Sequence, residues 1–196
     1  MDEPPEVPSP PAHVVNDVKA LSAMANPFRS RMLDALSVDG PSTASALAQR
    51  TGQAVGSASH HLKVLAEAGL VVEAPELARD RRERWWRRVS PGISWSRAEF
   101  AGDASAVTAA LAAESLGLQR QFERSQEWLA NAEAAGEWGG VAFATQTWLT
   151  LTPAELRVFS EELIALTQRW RNRPVPDDGA DRESVLVFAR GFPAQP

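Results

Sequence analysis

AVGSASHHLKVLAEAGL, residues 54–70, has two faces. Wound at about 100° per residue, it gathers Val55, Ala58, Leu62, Leu65 and Ala66 on one side. Gly56, Ser57 and His60, with the preceding Gln53, point the other way. One side is suited to a core and the other to something outside the fold. Gly69 stands where a helix C-terminal glycine belongs, and the apolar, β-branched run Leu70 to Glu73 follows as a strand.

Upstream, His13 to Ala25 carries Val14, Val15, Val18, Leu21 and Ser22 at helical spacing, which predicts a first helix. Asn26 followed by Pro27 is a helix start, because Asn accepts from free amides and Pro costs nothing at the first position. The second helix then runs from Pro27 to about Val38 with a core face of Phe28, Met32, Ala35 and Leu36, and Asp39-Gly40-Pro41 ends it. Ser42 or Thr43 opens a third, short helix that stops at Gly52. A short helix, a tight turn containing glycine and a helix with an exposed small-polar face make a helix-turn-helix, whose second helix lies in the major groove. Leu70 to Pro75 and Glu83 to Ser90 read as two strands joined by a polar loop, the hairpin of a wing. Arg79, Arg81, Arg82, Arg84, Arg87 and Arg88 fall on that hairpin against Asp80 and Glu83, so its tip suits phosphates or a minor groove.

The charge follows this division. The chain of 196 residues has a net charge of −5, which argues at first against nucleic acid. Residues 1–12 carry −3, residues 13–90 carry +3 and residues 91–196 carry −5. The local excess is what a phosphate meets at physiological salt. The acidic, proline-rich residues 1–12 lack the basic end and apolar run of a signal peptide and are expected to form a disordered arm. No run approaches a membrane span, so a cytoplasmic, nucleoid-associated protein is expected. The absence of cysteine removes disulfides, thiolate metal sites and thiol nucleophiles.

The runs ALSAMANPFRSRMLDAL, ALAQRTG, SHHLKVLAEAGLV and RWWRRV together resemble the ArsR/SmtB-like family of bacterial winged-helix transcription repressors over residues 18–90. Asn26 stands where that family usually has Asp, a change that keeps the cap. Trp85 and Trp86 stand where two tyrosines are frequent. The resemblance implies a homodimeric, DNA-binding repressor. Its metal-sensing members carry cysteines at the positions of Thr43 and Ser45; two hydroxyls are no soft-metal site, and no metal or other cofactor is expected.

The candidate DNA-binding residues are Gln53, Gly56, Ser57, His60, His61, Lys63, Arg79, Arg81, Arg82 and Arg84. Ser57 and Gln53 are best placed for base edges, and Lys63 suits a phosphate. His60 points away from Leu62, so contact with DNA outweighs plain surface. His61 lies at the flank of the core face, where a structural role weighs at least as much. Ser59 faces the core side.

Beyond residue 92 the resemblance fades. Asp103 to Ala135 predicts a helix about 45 Å long with Ala104, Val107, Leu111, Ser115, Leu118, Phe122, Ser125, Leu129 and Ala132 as a near-heptad stripe. A helix of that length exceeds what a small core covers, and dimerisation is favoured over packing within the chain. VAFATQTWLT reads as a strand, Thr152-Pro153-Ala154-Glu155 as a capping box, and SVLVFAR as a second strand. The helix opened by the box runs to about Arg171 with Leu156, Phe159, Leu163, Leu166 and Trp170 as its buried stripe. Trp128, Trp138, Phe143, Trp148 and Trp170 are read first as the core of this unit and second as the lining of an effector site. Arg157, Arg169, Arg171 and Arg190 could orient an anionic ligand.

The expected fold is mainly α with small β, in four parts. They are the arm (1–12), a winged helix-turn-helix domain (13–92), a long helix for dimerisation (93–136) and a C-terminal α+β unit (137–196). The expected function is a homodimeric repressor at an inverted-repeat operator, with a small apolar or anionic effector as its signal. The competing reading is a winged helix that serves a protein partner or a ligand and does not read DNA. No phosphate-cradling glycine loop, HExxH or nucleophile triad points to an enzyme.

Overall fold

In the computed structural model the residues described are 13–14, 17–80, 83–90, 93–94 and 102–195. The chain divides into two units, Met1–Arg124 and Ser125–Pro196. The expected arm lies outside the described residues.

The first unit begins with strand β1 (His13–Val14) and helix α1 (Val18–Met24). The predicted helix over His13 to Ala25 is thus corrected at its start. Asp17 is extended and its carboxylate accepts from the Lys19 amide at 2.9 Å, a cap that sets the first helical residue at Val18. His13–Val14 instead pairs in parallel with β5 (Ile93–Ser94). Helix α2 (Pro27–Val38) starts as expected, with the Asn26 side chain accepting from the amides of Phe28 and Arg29 at 3.0 and 3.1 Å. Helix α3 (Ala44–Thr51) is capped by Thr43 and ends at Gly52, whose φ of 66° is a left-handed conformation natural to glycine.

Helix α4 (Val55–Glu67) closes on a Schellman turn. The Gly69 amide donates to the Ala66 carbonyl and the Leu70 amide to the Leu65 carbonyl, both at 2.9 Å. Gly69 takes φ 67°, and the chain turns directly into β3 (Val71–Glu73). Pro75 ends that strand in a 3₁₀ turn, Pro75–Leu77, and β4 (Trp85–Arg88) returns antiparallel with Val71 opposite Arg88 and Glu73 opposite Trp86. The hairpin was legible. A third strand, β2 (Ser42–Thr43), was not: it pairs on the other side of β4, giving the order β2-β4-β3. Extended backbone at Thr43 serves both as the end of that strand and as the cap of α3.

Leu21, Met32, Leu47, Leu62 and Leu65 are fully buried where α1 to α4 meet, and Trp86 closes the core from the sheet. Helix α5 (Ala104–Asn131) joins this core through Ala106, Ala110 and Ala113. That face differs from the expected seam, of which Leu111, Leu118, Phe122 and Leu129 are exposed. Alanine wins the inner face because its single methyl lets two helix backbones approach closely.

The second unit holds the end of α5, a 3₁₀ turn (Ala132–Ala134), helix α6 (Glu137–Val141) and helix α7 (Pro153–Asn172). The capping box is present in both directions at Thr152 and Glu155. The two strands expected in VAFATQTWLT and SVLVFAR are not formed: described residues 142–152 and 173–195 carry neither helix nor strand. Nor is the α7 stripe buried. Leu156 and Leu163 are half-covered, while Phe159, Leu166 and Trp170 are exposed, and no described residue of 125–195 is fully buried. Isolated strands gain nothing without a partner for their amides and for both apolar faces. No helix among the described residues is long and apolar enough to cross a membrane.

Candidate nucleic-acid interface

Helix α4 divides as its spacing predicts, with one exception. Ala58, Leu62 and Leu65 are buried at 0 % exposure, Ala66 is half-covered, and Val55 is corrected to the exposed face at 49 % because it sits in the first turn, beyond the edge of the core. Gly56, His60 and Lys63 are exposed and Gln53 and Ser57 half-exposed. These five lie together along one helix and its lead-in. The residue before the helix, Ala54, offers no side-chain cap, so the first-turn amides have no side-chain acceptor. A Cβ on Gly56 would meet nothing within 4 Å. The leading end of α4 is therefore smooth, uncapped and carries the partial positive charge of a helix N-terminus.

His61 turns the other way. Its ring stacks on Phe28 at 5.9 Å between centroids and its Nδ1 is buried without a hydrogen-bond partner among the described residues. Burial, followed by the nearby Arg29 and His60, holds its pKa below the usual value of 6.5. The unfolded chain takes up this proton near pH 6.5 and the folded chain only at lower pH. Stability is therefore full above about pH 6.5 and falls as the pH drops through the window beneath it. Thermal midpoints of His61→Gln, compared with the parent between pH 7.5 and 5, should show a shallower decline; equal slopes would remove His61 from the acid-sensitive set.

The wing is more neutral than a count of arginines suggests. Arg79 is exposed, and its backbone amide donates to the Glu83 carboxylate at 2.9 Å, which holds that carboxyl below its ordinary pKa. Arg84 faces Glu73 at 3.5 Å, Arg87 pairs with Glu76, and Arg88 donates to the Ser37 hydroxyl. Arg81 and Arg82 lie outside the described residues. One cation was missed in the sequence: Arg31 on α2 is exposed and lies 4.9 Å over the ring of Phe28, on the element that backs His61. Arg29, its neighbour, is structural, donating to the carbonyls of Ala23 and Ser22 at 2.7 and 2.9 Å and so closing the end of α1.

None of the aromatic residues read as a second site is buried. Trp128, Trp138, Phe143, Trp148 and Trp170 are all exposed and lie on separate stretches of the second unit. A shallow groove of about 360 Å³ along α7 is lined by Ala154, Glu155, Val158, Phe159 and Glu162, none of those five. No group of three or more His, Cys, Asp or Glu suited to a metal occurs among the described residues.

A family model described as a helix-turn-helix domain matches residues 24–74. No curated protein matches. Among solved structures, the chain is similar to the homodimeric winged helix-turn-helix DNA-binding domain (fragment 1-100) of Mb0332 from Mycobacterium bovis, described as a possible ArsR-family transcriptional regulator. The two are 25 % identical, the match covers 56 % of this chain and 83 % of that one, and the TM-score is 0.34. Residues 24–74 of this protein are a helix-turn-helix domain, and the β3–β4 hairpin gives it a wing.

Proposed function

We propose that the chain is a sequence-specific, DNA-binding transcriptional regulator of the ArsR type, a homodimeric repressor acting at an inverted-repeat operator. The observation that carries this is α4: a small-polar face of Gly56, Ser57, His60 and Lys63 behind an uncapped N-terminus, on a helix whose other side is locked into the core by Leu62 and Leu65. Gln53, Ser57 and His60 read base edges, while Lys63, Arg31, Arg79 and the first-turn amides hold phosphates. Arg81 and Arg82, outside the described residues, add two positive charges to that grip. The exposed stripe of Leu111, Leu118 and Phe122 on α5 supplies the surface on which two copies associate. No role in catalysis is assigned to any residue.

Fluorescence anisotropy against selected and random duplexes across a salt series tests the reading. The expected result is selective, salt-steep binding. Lys63→Ala should weaken every duplex alike, by about tenfold, and reduce the salt slope by about 1. Absence of binding by any duplex at low salt would overturn it. The pairing of Arg84 with Glu73 and of Arg87 with Glu76 favours one other reading, a winged helix that serves a protein partner. Absence of binding by any duplex at low salt would select it.

A further inference from the structure

The second unit is rich in groups that want covering. From Trp128 to Phe192, nineteen large apolar side chains are exposed, Phe143 at 77 %, Trp148 at 62 % and Val187 at 57 % among them. Residues 141–151, VAFATQTWLTL, hold no charge, and neither do residues 184–189, SVLVFA. The second run is apolar on both sides of a pleat, Val185 and Val187 alternating with Leu186 and Phe188, and the first is apolar on both sides at its two ends, Val141 to Ala144 and Trp148 with Leu149, around Thr145-Gln146-Thr147. That is the pattern of a strand covered on both faces. Yet the amides of 143–151 and 184–189 donate to no backbone carbonyl among the described residues. The backbone is extended where the first segment begins and ends, at Ala142 (φ −62°, ψ 141°) and Thr152 (φ −78°, ψ 163°).

We propose that residues 142–152 and 184–190 become strands only against a second copy of this chain, so that residues 125–196 of two chains form one intertwined dimer module. The inference rests on the homodimer named above and deepens it; it does not depend on DNA.

Two observations select a second copy as the occupant. The unit carries ten acidic and six basic residues, which disfavours nucleic acid and anionic lipid surfaces, while the two runs themselves hold no charge that would set one copy against another. Nineteen exposed large side chains are close to the roughly 20–30 residues that each partner contributes to a stable protein interface. A copy brings donors and acceptors of equal number and equal spacing. It thereby removes the free edges that would otherwise recruit chains without limit.

Amide hydrogen exchange on the full chain without DNA, read beside the mass from sedimentation, tests this. At concentrations where the mass is that of two chains, amides of 143–151 and 184–189 should be protected. Dilution to the one-chain species should release both segments together, by tenfold or more in rate, while amides of Leu62 and Leu65 in α4 keep their protection. Val187→Pro, which deletes a ladder donor, should raise the dimer dissociation constant at least tenfold with α4 unchanged, and supplies the one-chain species if dilution does not reach it. Val187→Thr should keep the dimer. Protection that persists in the one-chain species would mean pairing within the chain and overturn the proposal. A two-chain species with both segments unprotected would overturn it too, leaving association to α5 alone. DNA binding is read separately, so either result stands apart from the fate of the regulator reading.

Discussion

Leu62→Ala should destabilise the first unit by about 2–5 kcal/mol, the range found when a buried leucine leaves a cavity that its neighbours fill only in part. Leu62 has no exposed surface and packs among the leucines of α1 to α4, with Leu65 one turn further along the same helix. The whole side of α4 that is not offered to solvent depends on it. A fall of several degrees in the thermal midpoint per kcal/mol is expected for a unit of this size. Far-ultraviolet circular dichroism during heating would measure it. Well below the midpoint, DNA affinity should be unchanged, because Leu62 points inward and Ser57 and Lys63 do not. A loss under 1 kcal/mol would mean that α4 is not seated on the core as described.

Asp34→Ala should cost about 1–3 kcal/mol, the penalty of leaving a charged hydrogen-bond partner unmet in a partly covered site. Asp34 on α2 receives both Arg120 and, at 2.6 Å, Arg124, which stand one turn apart on α5. The Arg120 side chain is 15 % exposed, so its guanidinium has little access to water once the carboxylate is gone. This is the polar clamp beside the alanine contacts at Ala106, Ala110 and Ala113 that ties α5 to the helix-turn-helix. The expected signature is local as well as global: faster trypsin cleavage after Arg120 and Arg124, with α4 amides still protected. Asp34→Asn, which keeps an acceptor but not the charge, should fall between parent and alanine. Exposed pairs such as Arg50 with Asp39 should matter far less, since solvent screens them.

Local chemistry was enough to place the helix-turn-helix. Asn26 before Pro27, Thr43 before α3, and glycines at 52 and 69 each act within four or five residues of themselves. The caps and stops they specify are where the chain shows them. The same is true of the capping box at Thr152. His61 illustrates the border of this legibility. Its position on the wheel leaves packing and DNA contact both open, and its stacking is on Phe28, a residue of another helix that the wheel does not show.

Apart from the Asp17 cap, which moves the start of α1, and Val55 in the first turn of α4, what differed depended on a distant surface. The pairing of β2 with β4 and of β1 with β5 joins residues more than forty positions apart, and no two-residue strand announces its partner. The sequence sets the wing arginines against Asp80 and Glu83 alone, whereas the fold places Glu73 and Glu76 beside Arg84 and Arg87. On α5 the heptad stripe of large residues and the flank of alanines were both visible. Only packing showed that the alanines face inward and the large residues outward.

The sequence alone determined the starts of α2, α3 and α7, the glycine stops, the hairpin and, Val55 apart, the outward face of α4. Each of these is settled by hydrogen bonds and backbone sterics among near neighbours. The tertiary structure decided which face of α5 is buried, which arginines are already paired, and that the apolar runs 142–152 and 184–190 form no strand among the described residues. Burial and pairing are properties of two surfaces, and a single stretch of sequence carries only one of them.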